Sequence, residues 1–398
     1  MKIYLITPIY AVTTEGDGAT PVVHYFAKEW IKQGNQVTVF HFMPKYPRIF
    51  YSIAKKFRHR LYSITGIPIP THYPHDSDYI TDGVKVYKRT ISKIVPHSLY
   101  RKTQIDKALS IIEKECRLNG IPDVFVGHWD NPQLEILNEL KNKYGIKTCL
   151  VLHENEFKFE KKYGYRAQSL LNNIDIIGFR SLVGRNNYMT QYGEPRKSFV
   201  AYSGVSSVFI KEGSNHKVTH PLPLRRFVYV GSLIKRKHPV EVLRTLYNIY
   251  PDGNFIINYI GDGQESITIE QEQKINHNKG TVLLHGRIAR EEIIKYLKES
   301  DVFVMISEEE IFGLVYLEAM ALGLITIGSK REGIDGIIID GENGFLCEPS
   351  SVEDLEATIR RINSLSEEQI KKISDNAKIT ALGFSDSEVA NQYINALK

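Results

Sequence analysis

Two glutamates with seven residues between them, Glu310 and Glu318, frame the stretch Glu-Ile-Phe-Gly-Leu-Val-Tyr-Leu-Glu. A short apolar run, Val302 to Ile306, precedes them, and helical spacing begins at about Gly313. Glu310 is thus expected in the loop that leaves a strand, and Glu318 near the second turn of the following helix. The Phe312-Gly313 amides would lie at a helix N-terminus, where unpaired N–H groups and the helix dipole favour an anion. Carboxylates repel a ligand that is only phosphate. They suit one that also carries hydroxyls, for which they are good acceptors. Phosphate plus polyol describes a nucleotide sugar.

Other residues able to do chemistry stand where apolar runs stop. Gly231-Ser232-Leu233-Ile234-Lys235-Arg236-Lys237 follows Phe227–Val230, Gly261-Asp262-Gly263 follows Phe255–Ile260, and His285-Gly286-Arg287-Ile288 follows Val282–Leu284. In the first half, His128 ends Asp123–Gly127 within Gly-His-Trp-Asp, and His153 ends Thr148–Leu152 within His-Glu-Asn-Glu-Phe. Both histidines fall at carboxyl ends of expected parallel strands, where open α/β sheets place ligands. Thr14-Glu15-Gly16-Asp17-Gly18-Ala19, after the first strand, is Gly-rich but is not G-x-G-x-x-G, so no nicotinamide cofactor is indicated.

The run E-I-F-G-L-V-Y-L-E-A-M-A-L-G, with the trailing G-E-N-G-F-L-C-E-P, resembles the E-x7-E signature of the retaining family 4 glycosyltransferases, which have the GT-B fold. Leu324 stands where that family usually has Pro, and Glu332-Gly333 where it usually has Gly-Gly. The resemblance implies that Glu310, with the amides of Ile311, Phe312, Gly313 and Leu314, holds the donor sugar, and that Glu318 holds the ribose. The segment 231–237 resembles the family's G-R-L-x-x-x-K, in which an Arg and a Lys neutralise the donor diphosphate. Lys237 matches the Lys; Ser232 replaces the Arg, leaving Lys235 or Arg236 to supply the charge. Such cations matter because the leaving diphosphate gains negative charge, and fixed charges of this kind can contribute ~10²–10³ in rate. By the same resemblance Gly261 lies at the site's edge, Arg287 and Ile288 near the base, and Gly16 and Gly18 near the phosphates. His153 falls on the acceptor side near the reacting carbon, with Glu154 or Glu156 as its substitutes, and His128 is a further acceptor-side candidate. Ser203-Gly204-Val205 resembles the N-G-V at the family's domain junction.

These residues need parallel strands to carry them. Ile3–Ile9, Gln36–Phe42, Val84–Lys88, Asp123–Gly127, Thr148–His153, Asp175–Phe179 and Ser198–Tyr202 alternate with helical patterns such as Thr20–Gln33 and Thr103–Leu118. The second half repeats the pattern through Phe227–Val230, Phe255–Ile260, Val282–Leu284, Val302–Ile306 and Leu324–Ile327. Strand–helix alternation argues for parallel sheets covered on both faces. The expected fold is α/β, GT-B: two doubly wound Rossmann-like domains facing a central cleft. The expected division is residues 1–205 for the acceptor, 206–384 for the nucleotide sugar, and 385–398 as a helix crossing back to the first domain. The polar stretch Glu212–Arg226, with Pro221 and Pro223, reads as a linker.

A chain of 398 residues with 42% apolar and 24% charged content has room for two globular domains. A net charge of +5 does not point to nucleic acid. Cys116, Cys149 and Cys347 lack metal spacing and read as reduced thiols of a cytoplasmic protein. No Asp-x-Asp or His-rich cluster demands a metal, so no metal or other cofactor is expected. No run is long and apolar enough to span a membrane. From His41 to His75 there is no acidic residue, and Ile49, Ile53, Phe57 and Leu61 recur at helical spacing among Lys45, Arg48, Lys55, Lys56, Arg58 and Arg60. That is a basic amphipathic helix suited to an anionic membrane surface through residues 45–61, which would place the protein peripherally on the inner face of the plasma membrane. The plain alternative is a packed helix with a solvated basic face.

The expected activity is retaining, metal-independent transfer from a nucleoside diphosphate sugar, UDP preferred, to a glycan or lipid-linked glycan. A non-catalytic GT-B subunit that binds glycan is the rival that Ser232 favours. A nucleotide-sugar epimerase or a phosphorylase is a second rival.

Overall fold

The computed structural model describes residues 1–12, 21–65, 72–96, 98–216, 219–277 and 279–398, with the side chains of 58–65 left out. The chain divides into two compact units. The first takes Met1–Arg58, Pro68–Tyr202 and Asp386–Lys398; the second takes His59–Ile67 and Ser203–Ser385. Gly16 and Gly18 lie outside the described residues.

The first unit is built on eight strands: β1 Lys2–Thr7, β2 Gln36–Lys45, β3 Ser77–Thr81, β4 Val84–Ser92, β5 Val124–His128, β6 Lys147–Leu152, β7 Ile176–Phe179 and β8 Ser198–Val200. Their order is β3-β4-β2-β1-β5-β6-β7-β8. All neighbours are parallel except β3 and β4. The central strands are buried along nearly their whole length, as a sheet covered on both faces requires. The expectation of a wholly parallel sheet therefore needs correction: β3 is an antiparallel edge strand that the apolar runs do not show. Its signal is Asp82-Gly83, both at positive φ (46° and 77°), the turn chemistry of a tight hairpin.

Helix Asp386–Leu397 buries Val389, Ala390, Tyr393, Ile394 and Leu397, a helical stripe, in this unit. It packs on helix Val22–Lys32 through rings: Tyr393 lies 4.9 Å from Trp30 and 5.1 Å from Phe26 between centroids. The Trp30 indole N–H donates to the Ala390 carbonyl at 3.3 Å. A chain terminus pinned in this way carries side chains as rigid as those of the core.

The second unit has six parallel strands: β9 Arg226–Val230, β10 Ile256–Ile260, β11 Thr281–Leu284, β12 Val302–Val304, β13 Ile325–Ser329 and β14 Phe345–Cys347, in the order β11-β10-β9-β12-β13-β14. The winding reverses between β9 and β12, so the loops after these two strands diverge around a crevice. The linker reading of 212–226 is corrected at both ends. Glu212 to Asn215 is the last turn of helix Ser207–Asn215, and Arg226 opens β9. A Cβ at Gly213 would stand 1.8 Å from the Ala321 carbonyl oxygen, so this helix is packed hard against helix Leu314–Ala321. Polar composition concealed it because most of the helix is solvated.

Candidate active site

In the second unit, five loops meet at the carboxyl edge of the sheet. The loop after β9 ends in the short 3-10 turn Lys235–Lys237. It is locked to the loop after β10 by backbone bonds, Gly231 N–H to Ile260 O at 2.9 Å and Leu233 N–H to Asp262 O at 3.0 Å. Only glycine fits there: a Cβ on Gly261, whose φ is 146°, would stand 1.8 Å from the Gly231 oxygen. Gly261 N–H in turn donates to Gly286 O at 2.8 Å, which ties in the loop after β11. Gly261 is thus required for backbone packing, whatever else it touches.

The loop after β12 faces this assembly. Lys237 Nζ stands 2.9 Å from Glu310 Oε2, and each side chain is 14% exposed. Burial raises the Glu310 pKa, but the adjacent Lys237 ammonium outweighs it and holds the carboxyl below the usual range. The two residues expected to act on opposite ends of the donor therefore meet across the switch point. Arg236 is turned the other way: its guanidinium donates to the carbonyls of Glu308 and Glu309 at 3.2 and 3.3 Å. Lys235 is exposed. Of the two candidates to replace the Arg missing at Ser232, Lys235 has the mobile charge and Arg236 is engaged with the loop. His238 lies between Glu241 and Glu308; burial disfavours its charge, but the two carboxylates outweigh burial and raise its pKa.

Gly313, at φ 70°, caps helix Leu314–Ala321, and Phe312 is buried. Ile311 is exposed, Leu314 half-buried, and the first-turn amides of the helix are those of Leu314 and its successors. Glu318 is buried at 4% exposure, and Arg290 Nε donates to its Oε1 at 2.6 Å. Arg290 opens helix Arg290–Lys298 and was not among the residues singled out in the sequence. Its signal, an Arg three residues after Arg287, is indistinguishable from a surface charge until the fold brings it to Glu318. Glu332 was also missed as a site residue, although its departure from Gly was noted. Its carboxylate accepts from the amides of Glu309 at 3.0 Å and Glu310 at 2.7 Å, clamping the loop that carries Glu310. Burial, with Glu310 and Glu308 nearby, keeps its pKa raised. Gly333 is needed beside it, since a Cβ would meet the Ile311 oxygen at 2.1 Å. Arg287 is exposed and Ile288 half-buried at the end of this edge.

In the first unit, β5 and β6 are neighbours, with His128 opposite Val151, and their ends bring the two histidines together. His128 Nδ1 lies 2.9 Å from His153 Nε2, both rings buried. Burial lowers the His128 pKa to about 3, helped by the Arg180 guanidinium, and lowers that of His153 by burial and then by His128 and Arg180. Both imidazoles are neutral at pH 7. Trp129 stacks on His153 at 3.7 Å and 13°. It does so from a left-handed backbone, φ 64°, which a bulky residue adopts only under local constraint. Glu154 is exposed and stands 3.5 Å from Lys162, which also pairs with Asp130 at 3.0 Å. Trp129 is the residue that reading for titratable groups overlooked.

Two parallel, doubly wound units, each with polar side chains gathered at the carboxyl edge of its sheet, define a nucleotide-sugar-type transferase architecture, the GT-B fold. A solved Anabaena protein in complex with UDP has this fold too, with a TM-score of 0.66 over 100% of this chain and 99% of that one, at 14% identity. Residues 211–380 match the model of the glycosyl transferases group 1. An uncharacterized glycosyltransferase of Methanocaldococcus jannaschii is 28% identical over 310 residues, 75% of this chain and 82% of its own. A putative teichuronic acid biosynthesis glycosyltransferase of Bacillus subtilis is 24% identical over 374 residues, 91% of this chain and 89% of its own. Residues 211–380 thus carry the glycosyl transferases group 1 domain, and the chain is a glycosyltransferase.

Proposed function

We propose that the chain transfers a sugar, with retention, from a nucleoside diphosphate sugar, UDP preferred, to a hydroxyl of a glycan or lipid-linked glycan in cell-surface polysaccharide or glycoconjugate synthesis. The observation that carries the reading is the Lys237–Glu310 pair at the switch point of the second unit. A half-buried ammonium and carboxylate can exchange each other for the two halves of such a donor. Lys237, with Lys235, takes the diphosphate; Glu310, with the first-turn amides, takes the sugar hydroxyls; Glu318, steadied by Arg290, takes the ribose. The bond from the anomeric carbon to the diphosphate breaks, the acceptor oxygen bonds that carbon, and the acceptor proton passes to a diphosphate oxygen. No bound metal is needed where Lys237 supplies the positive charge. Residues 1–205 hold the acceptor near His153, with His128 and Glu154 beside it; residues 206–384 hold the donor, and 385–398 serve the first part. UDP is favoured by the UDP held in the Anabaena structure, and a cell-surface acceptor by the Bacillus relative.

A thermal-shift panel of UDP-, GDP- and ADP-sugars tests the donor, because a ligand at 100 times its Kd stabilises the native state by about 2.7 kcal/mol. A shift with UDP-sugars that is lost in Lys237→Ala is expected. The same shift in both proteins would remove Lys237 from the diphosphate site. Binding without turnover on any glycan would favour the non-catalytic subunit.

The lipid-linked acceptor rests on Arg48–Thr65, which is not the single helix expected but two helical pieces that meet at a kink at Phe57. Tyr51 and Ala54 are buried, while Ile49, Ile53 and Phe57 are 70%, 52% and 40% exposed beside Arg48, Lys55 and Lys56. Arg58, Arg60 and Leu61 lie outside the described side chains. The ends of β2 and β4 are paired, Lys45 opposite Ser92, so Ile94 and Val95, at 72% and 58% exposure, leave the sheet from the same edge. Apolar side chains ringed by cations suit an anionic bilayer, each cation contributing roughly 1 kcal/mol. Sedimentation with anionic vesicles, weakened by salt and by Lys55→Glu with Lys56→Glu, is the expected result; equal sedimentation of both proteins with neutral vesicles would sink it.

A further inference from the structure

The two histidines of the first unit continue into a third group. His128 Nε2 lies 3.3 Å from the Tyr393 hydroxyl, which is buried in helix Asp386–Leu397. The Cys149 thiol lies beside the same hydroxyl. A phenol proton goes to an imidazole nitrogen in preference to sulfur, a weak acceptor, and the thiol is left to donate to the phenol oxygen. His128 Nε2 is then the acceptor, and a neutral His128 must carry its proton on Nδ1. That proton points along the 2.9 Å contact to His153 Nε2. His153 in turn must carry its own proton on Nδ1, a nitrogen with no protein partner among the described residues. A second proton on the pair is opposed by burial and by the Arg180 guanidinium, which is itself buried. The Trp129 indole lies flat on the His153 ring and fixes its plane.

We propose that Tyr393, through His128, sets the tautomer of His153, so that this ring offers a ligand hydroxyl an N–H donor and cannot serve as a base. Tyr393 and His128 are positioning residues, and the C-terminal helix thereby takes part in the acceptor side. The proposal deepens the reading that His153 faces the acceptor and rests on it for its functional meaning, while the tautomer itself is independent of that reading. It also agrees with a transfer in which the departing diphosphate takes the acceptor proton. The reversed chain, with Nε2–H on both rings, would leave His153 Nδ1 as an acceptor and make it a base.

The test is long-range proton–nitrogen correlation on the full-length protein labelled with 15N-histidine, at pH 7, with His128→Gln and His153→Gln to assign the signals. Both rings are expected as Nδ1–H tautomers, and Tyr393→Phe, which keeps the ring packing, is expected to bring in the Nε2–H form. Nε2–H on both rings in the wild type, or an unchanged pattern in Tyr393→Phe, overturns the proposal. Turnover of His153→Gln separates the two ideas. A dead variant beside the wrong tautomer defeats the relay alone; wild-type turnover beside the expected tautomer defeats the acceptor reading alone.

Discussion

In the first unit the candidate residues are two buried imidazoles without charge; in the second they are a half-buried carboxylate and a buried one, each beside a cation. Both pairs sit at carboxyl ends of parallel strands, and both are removed from water. Burial opposes charge in each case. In the first unit burial is not offset: the Arg180 guanidinium, of like sign, adds to it, and the rings stay neutral. In the second, Lys237 compensates Glu310 and Arg290 compensates Glu318. A neutral pair can position hydroxyls without attracting a phosphate. A charged pair can be opened by a ligand that brings its own charge and hydroxyls. On the proposed reading, the carboxyl edge of the first sheet suits a neutral glycan and that of the second a charged donor, according to what stands beside each group.

Breaking the charged side should have the largest effect. Glu310→Ala is expected to lower turnover by about 10²–10³-fold or more, with a far-ultraviolet spectrum like that of the wild type. His153→Gln, on the neutral side, should leave the calorimetric affinity for UDP unchanged, whereas Lys237→Ala should weaken it. Near-wild-type turnover of Glu310→Ala would end the assignment of the donor pocket.

Next in size is the second ion pair. Arg290→Ala leaves Glu318 buried without its cation, and removing one partner of a buried pair costs about 3–5 kcal/mol. The expected result is a lower urea midpoint, partly restored by Arg290→Ala with Glu318→Gln. A single variant as stable as the wild type would show that Glu318 reaches water.

The smallest effect is in pH, and its sign differs between the units. The His238 pKa is raised, so its stabilising contribution is fully present below the unfolded value, about 6.5, and is lost as pH rises through the raised one. The His128 pKa is lowered to about 3, so stability is instead lost as pH falls below about 6.5, where only the unfolded chain takes up the proton. Melting temperatures across pH 5–9 should show His238→Gln losing most at acid pH and His128→Gln narrowing the wild type's acid loss. Parallel curves for all three proteins would contradict both assignments.

Much of this contrast could be read from residue order. Apolar runs located twelve of the strands, because strands buried on both faces need no alternation to be seen. They missed β3, whose half-exposed Ser-Asp-Tyr-Ile-Thr is announced only by its Asp-Gly turn, and β14, only three residues long. Helix Ser207–Asn215 was missed because polar residues cover a face that packing, not composition, makes helical.

At the candidate site, the sequence by itself determined which chemistry is present. Glu310, Glu318, Lys237, His128 and His153 each follow an apolar run, and chain connectivity alone places the end of a parallel strand at the edge of its sheet. The partner of each group was decided by the tertiary structure, because contacts in such a site come from neighbours remote in the chain. Lys237 lies 73 positions from Glu310, Arg290 28 from Glu318, Glu332 22 from the amide it holds, and Tyr393 265 from His128. No local pattern encodes those pairings; they exist only where strand order brings the loops to one edge.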